Sequence, residues 1–192
     1  NAGMADEKKF ADQIRHYFGH EDKFCAKPTA SQFRDIGFSL FKHQQDALAD
    51  IENSRTQGKN TFLLVLPTGT GKTEVFIADY GNQKEQGNAN RALVIVPFKD
   101  LREQTKSRFL KRIPTLSVSS EITDLNADVI VQTTQAIQRQ FASLSSHHFD
   151  YIVVDEAHHA PAQGLKRVLE HFNPKTLLGC TATDKRLDQK DL

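Results

Sequence analysis

An α/β domain with a mostly parallel sheet and helices on both faces is the fold this sequence predicts. Three observations lead to it. Short apolar runs suited to buried strands alternate with helix-forming stretches from about residue 40 onward. One run, Phe62-Leu63-Leu64-Val65-Leu66, opens directly into Pro67-Thr68-Gly69-Thr70-Gly71-Lys72-Thr73 and then EVFIADY, which can continue as a helix. Another, Tyr151-Ile152-Val153-Val154, ends on two carboxylates, Asp155 and Glu156. Strands buried on both faces read as continuous apolar runs, which is how parallel sheets look in sequence.

The elements come in order. Residues 1–3, Asn1-Ala2-Gly3 ahead of Met4, read as an expression scar. Residues 4–36 are expected to form an N-terminal helical extension packed on the main domain. Phe10, Ile14, Tyr17 and Phe18 share one helical face there, Gly19 is a stop, and Pro28 and Gly37 break any long element after it. The main domain is expected over 37–192. Phe41, Gln45, Leu48 and Ile51 fall at helical spacing and predict a helix over about 42–56. The polar stretch 81–90 reads as a loop, and 92–97 as a second buried strand. A helix over 98–111 carries Lys99, Arg102, Lys106, Arg108 and Lys111. Further strands are expected near 116–119 and over 128–133, 149–154 and 175–181, with helices over 135–141 and 163–171.

Composition sets outer bounds. Of 192 residues, 38% are hydrophobic and 13 are Phe, enough for a packed core and too many for disorder. Net charge is +1, so any affinity for polyanions must come from a local patch. No apolar run approaches a membrane span, and no signal-peptide layout is seen, so no membrane partner is expected. Cys25 and Cys180 read as reduced thiols of a cytoplasmic protein. The histidines at 147, 148, 158 and 159 match no zinc-ligand spacing.

Strand, glycine-rich loop, Gly-Lys-Thr and helix is the order a phosphate loop requires. The glycines let the backbone of the loop from Pro67 to Thr73 curl so that the N–H groups after Pro67, those of Thr68, Gly69, Thr70 and Gly71 among them, point at phosphate oxygens. The helix adds its free N-terminal amides. Lys72 would place its ammonium on the β- and γ-phosphates, and Thr73 would give its hydroxyl to Mg²⁺. The usual first glycine of the pattern is replaced by Leu66. Asp155, at a strand end, can hold Mg²⁺ directly or through water, and Glu156 can orient and deprotonate an attacking water. Gln44 carries a donor and an acceptor, which suits an adenine edge.

LPTGTGKT resembles the first motif of superfamily 2 helicases, where the first position is often not Gly. Asp155-Glu156-Ala157-His158 is similar to the DEAH-type motif of that superfamily, and Thr181-Ala182-Thr183 to its third motif. Phe41 to Gln44, Pro97 to Gln104 and Val131 to Gln135 match in family order. The tail from Leu178 to Asp188 looks most like the restriction-subunit-like and XPB-like bacterial branch, with Asp184 where that branch usually has Pro.

The resemblance implies the first RecA-like domain of a helicase or translocase, using ATP and Mg²⁺. It implies phosphate binding by Lys72, Thr73 and the loop amides, an adenine-reading role for Gln44, a Mg²⁺ role for Asp155 and a catalytic role for Glu156. His158, Thr181 and Thr183 would couple the nucleotide to a nucleic-acid face. Pro97, Phe98, Lys99, Arg102, Thr133, Thr134 and Gln135 would touch the sugar-phosphate backbone, DNA being favoured over RNA. The helix after Phe98 supports this independently, since its first amides with Lys99 and Arg102 suit phosphate. The strand over 175–181 is expected between those over 62–66 and 149–154. A second RecA-like domain, absent from this chain, is the expected partner. Two readings of a different kind stay open: a nucleotide-gated binding module without motor work, and the motor part of a restriction-enzyme subunit.

Overall fold

The computed structural model describes residues 39–156 and 162–182. The helix expected within 4–36, together with His158 and Thr183, lies outside them. Twelve elements run in order: α1 (Lys42–Thr56), β1 (Thr61–Val65), α2 (Lys72–Glu85), β2 (Ala92–Val96), α3 (Lys99–Arg112), β3 (Val118–Ser119), β4 (Val129–Thr133), α4 (Thr134–Gln140), a 3₁₀ turn (Phe141–Ser143), β5 (Tyr151–Val154), α5 (Ala162–His171) and β6 (Thr176–Thr181).

The six strands form one sheet in the order β1-β6-β5-β2-β4-β3, every pairing parallel. β6 therefore lies between β1 and β5, as the family resemblance implies. Every residue of β2, β4 and β5 is buried. Their side chains alternate between two cores. Val94, Val96 and Val153 pack with Leu48, Phe76, Tyr80 and Phe109 of α1 to α3. Leu93, Ile95 and Ile152 pack with Ile137, Leu165 and Val168 of α4 and α5. Helices thus cover both faces. Among the described residues, no helix is long and apolar enough to cross a membrane.

One boundary departs from the sequence reading. The polar stretch 81–90 reads as loop, yet α2 continues to Glu85, with Gly81 and Gln83 buried. A helical glycine costs ~1 kcal/mol. The burial of Val75, Phe76, Ile77 and Tyr80, each fully inaccessible, contributes ~1.5–3 kcal/mol apiece and carries the helix past it.

Candidate nucleotide site

Parallel pairing brings the carboxyl ends of the strands to one edge, where ligands of open α/β sheets bind. The register sets Val65 beside Thr181, Gly179 beside Val154, Ile95 also beside Val154, and Val96 beside Thr133. The loop after β1, Thr181, the Asp155-Glu156 pair, Pro97-Phe98 and Thr134 therefore succeed one another along that edge. The amide of Leu66 also donates to the Thr181 carbonyl at 3.1 Å, fastening the start of the loop to β6.

The loop begins as a tight turn. Thr70 N donates to Pro67 O at 3.2 Å and its hydroxyl to the same oxygen at 2.6 Å, while Gly69 takes φ +81°. Positive φ at the third position is what a type II turn needs, and glycine supplies it without strain. Gly71 caps α2 in the left-handed region at φ +87°. A Cβ there would stand 2.2 Å from Gln44 Nε2. Gln44 is buried and both ends of its amide are engaged: Oε1 accepts from Phe41 N at 3.0 Å, and Nε2 donates to Thr70 O at 2.9 Å. The same Thr70 carbonyl lies 2.9 Å from His43 Nε2. The helix before the loop thus clamps it through two adjacent side chains.

Lys72 is 7% exposed. Its ammonium donates to the Leu66 carbonyl at 3.3 Å and lies 3.3 Å from Glu156 Oε1. Both contacts are long for a buried ammonium with three donors. Asp155 is 8% exposed, and its Oδ1 accepts from Glu156 N at 3.0 Å. Burial and then the Glu156 carboxylate push the Asp155 carboxyl from its ordinary 3.8 up to about 6. Glu156 has φ +47°, the left-handed region that a side chain rarely adopts. Backbone strain of this kind concentrates at functional sites. A buried ammonium, a glycine cradle and two acidic groups, one of them short of counter-charge, fit a nucleoside triphosphate with its cation. Thr73, half-buried at the start of α2, and Asp155 are the side chains that could hold that cation.

The other candidates divide. Pro97 is half-buried, Phe98 is 57% exposed and Lys99 is exposed at the start of α3. Arg102 already pairs with its neighbour Glu103 at 2.8 Å. Thr133 and Thr134 are buried. The first caps Ala136 N at 3.3 Å, and the second donates to Val96 O at 3.4 Å. Of that segment Gln135 is the exposed member. Thr181 is half-buried at the end of β6. Sequence reasoning missed His43 and Glu74. The carboxylate of Glu74, one residue after Thr73, pairs with Arg112 at 2.6 Å and Arg108 at 3.9 Å from α3. Only the side-chain packing reveals either contact.

The family model described as "Type III restriction enzyme, res subunit" matches residues 37–186. The chain is 31% identical over 170 residues to "Putative ATP-dependent helicase IRC3" of Saccharomyces cerevisiae, covering 80% of this chain and 24% of that protein. It is 31% identical over 131 residues to the DNA 3'-5' translocase XPB2 of Sulfurisphaera tokodaii, covering 67% of this chain and 28% of that one. The chain thus spans about a quarter of the length of these curated relatives. A solved Sulfolobus solfataricus SWI2/SNF2 ATPase core in complex with dsDNA superposes with a TM-score of 0.70 at 21% identity, covering 86% of this chain and 36% of that one, a likeness of fold. With most of its length matched, the chain belongs to the type III restriction enzyme res subunit family, as a RecA-like domain of the superfamily 2 helicases.

Proposed function

We propose that this domain binds ATP with Mg²⁺ and, within a longer protein, couples ATP hydrolysis to movement along nucleic acid, DNA ahead of RNA. The observation that carries this is the meeting of Lys72 and Glu156 at 3.3 Å across the sheet edge, one from the start of α2 and one just past the end of β5. A phosphate-binding cation and a candidate base are thereby brought together by two separate motifs.

The roles rest on the geometry. The loop amides and the Lys72 ammonium hold the terminal phosphates. Thr73 and Asp155 would hold Mg²⁺, which would screen the phosphate charge. Phosphate arriving at Lys72 competes with Glu156 for the ammonium. The carboxylate, no longer paired with Lys72, orients a water and accepts its proton. Thr181, on the strand between the two motifs, stands where a change on the phosphate side can reach the nucleic-acid side. Pro97, Phe98, Lys99, Arg102 and Gln135 form the proposed track for the sugar-phosphate backbone. Gln44, with both ends of its amide engaged, acts on the nucleotide through the loop. The family match favours one specification, the motor part of a restriction-enzyme subunit.

Calorimetry with MgADP tests the core of this. Lys72→Ala removes a charged partner worth ~1.5–3 kcal/mol, so Kd should rise about 10- to 150-fold. Equal affinity for the two proteins would refute the nucleotide site.

A further inference from the structure

A second polar recess lies away from the nucleotide loop, between α4 and α5. It encloses about 300 Å³ and is lined by Gln135, Gln138, Arg139, Phe141, Gly164 and Arg167. Gln135, Gln138 and Arg139 stand at i, i+3 and i+4 on α4 and so share one face. Gly164 and Arg167 stand at i and i+3 on α5. Among the described residues, no carboxylate lines the recess.

Its two guanidiniums differ from the other arginines of the described residues. Arg55, Arg102, Arg108 and Arg112 each pair with an acid, and Arg91 donates to the Asp124 carbonyl. Arg139 and Arg167 are exposed and have no acid or carbonyl partner among the described residues. Arg167 is nonetheless held in place. Its guanidinium sits 6.0 Å from the centroid of the Phe141 ring. That ring meets the edge of His171 at 5.2 Å, and His171 Nε2 lies 2.8 Å from Leu144 O. The amide of Gln138 presses on Gly164, where a Cβ would stand 2.2 Å from Nε2, and this buried Nε2 has no hydrogen-bond partner. Among the described residues, the recess therefore offers two planar cations without an acidic partner, one of them stacked on an aromatic ring, with primary amides beside them.

We infer that this recess binds a phosphodiester group of the nucleic-acid backbone, extending the proposed track from Gln135 onto α5. Guanidinium forks match phosphate oxygens in a bidentate way, and the exposed Gln135 amide adds a neutral donor. Gln135 links the recess to the sheet edge, because it comes directly after Thr134. The inference rests on the nucleic-acid reading of the function, and its test separates the two.

The test is fluorescence anisotropy of the full 192-residue chain with a labelled DNA duplex of ~20 base pairs, titrated at several salt concentrations. Arg139→Ala with Arg167→Ala should weaken binding at least tenfold at ~0.1 M salt. The log–log salt slope should become shallower by about 1.8, at ~0.9 for each phosphate no longer neutralised. Arg139→Lys with Arg167→Lys should restore the slope while recovering only part of the affinity, since the charge returns without the fork. Lys59→Ala with Lys111→Ala removes the same net charge from exposed positions and should change affinity less than twofold. Lys99→Ala with Arg102→Ala probes the main track. Loss of binding there, with the Arg139 and Arg167 variants indistinguishable from the Lys59 and Lys111 control, overturns this inference and leaves the function intact. A wild-type chain that binds no duplex even at low salt overturns the nucleic-acid reading itself, and this site with it. Both arginines are exposed, so unchanged thermal midpoints should accompany the variants.

Discussion

At Asp155 the fold holds a carboxylate where it is poorly solvated. Burial is the first cause and the neighbouring Glu156 charge the second. The Glu156 amide, Lys72 and Arg108 oppose them without cancelling them, and the carboxyl titrates at about 6 against an ordinary 3.8. A folded-state value above the unfolded one means that the protonated form is favoured in the fold. The group's stabilising share is full below about pH 4 and is lost as pH rises toward 6. At 1.36 kcal/mol per pH unit of difference, the ionised Asp155 costs the nucleotide-free, Mg²⁺-free domain up to about 3 kcal/mol. Asn cannot ionise, yet its Oδ1 can still accept from the Glu156 amide. Asp155→Asn should therefore raise the urea midpoint in EDTA at pH 7.5, by about 1–3 kcal/mol in unfolding free energy, and leave it unchanged near pH 4. A destabilised variant at pH 7.5 would show that the carboxylate is well solvated after all. The same substitution should remove the protection that MgADP gives if, as proposed, Asp155 is a charged oxygen ligand of the cation.

At the scale of elements, one buried polar cluster ties α1 and α2 to β5. The Asp79 carboxylate, 3% exposed, takes Arg55 Nη2 at 2.8 Å and the Tyr151 hydroxyl at 2.6 Å. Arg55 also pairs with Glu52 and stacks over Phe62, 5.3 Å from its centroid. Burial pushes the Asp79 carboxyl up, while Arg55 and Tyr151 pull it back. Removing one member of a buried pair leaves the other without compensation, which costs ~3–5 kcal/mol. Asp79→Ala should lose about 3 kcal/mol in urea unfolding, whereas Asp46→Ala, at the exposed Lys42 pair, should lose under ~1 kcal/mol. Comparable losses would mean that the buried cluster does not join the elements. None of this cluster is legible in the sequence. Arg55, Asp79 and Tyr151 come from three separate elements, and periodicity reports which face a residue occupies, never its partner. For the same reason the sequence points Gln44 toward adenine, while its bond to Thr70, 26 residues away, stays hidden. The phosphate loop and the Asp155 strand are legible because their chemistry needs contiguous residues. The sheet order is legible only through the resemblance, since apolar runs carry no information about neighbours.

On the scale of the whole molecule, the placement of charge sets what the domain can catalyse alone. Phosphoryl transfer depends on positioning and on positive charge around the leaving and transferred groups. The described residues position well: Lys72, Thr73, Asp155 and Glu156 converge on one edge of the sheet. They supply little further charge there. Arg108 and Arg112 are drawn to Glu74, Arg102 to Glu103, and Arg55 to the cluster behind the sheet. Arg91 is held by the Asp124 carbonyl, and Arg139 and Arg167 line the recess between α4 and α5. Apart from Arg108, whose charge reaches Asp155, no guanidinium among the described residues is thus left to act as an arginine finger, a group worth ~10³–10⁵ in rate. An ordinary kcat of ~1–10 s⁻¹ reduced by that factor falls to about 0.01 s⁻¹ or below. The 192-residue chain should therefore bind MgADP well and hydrolyse ATP at no more than about 0.01 s⁻¹, with little stimulation by duplex DNA. Glu156→Gln should lower even this residual rate while leaving nucleotide affinity within a few-fold, because the role proposed for the carboxylate is on the water. Phosphate release from the purified chain decides it. Turnover of about 1 s⁻¹ or faster would show that the site is catalytically complete within this one domain.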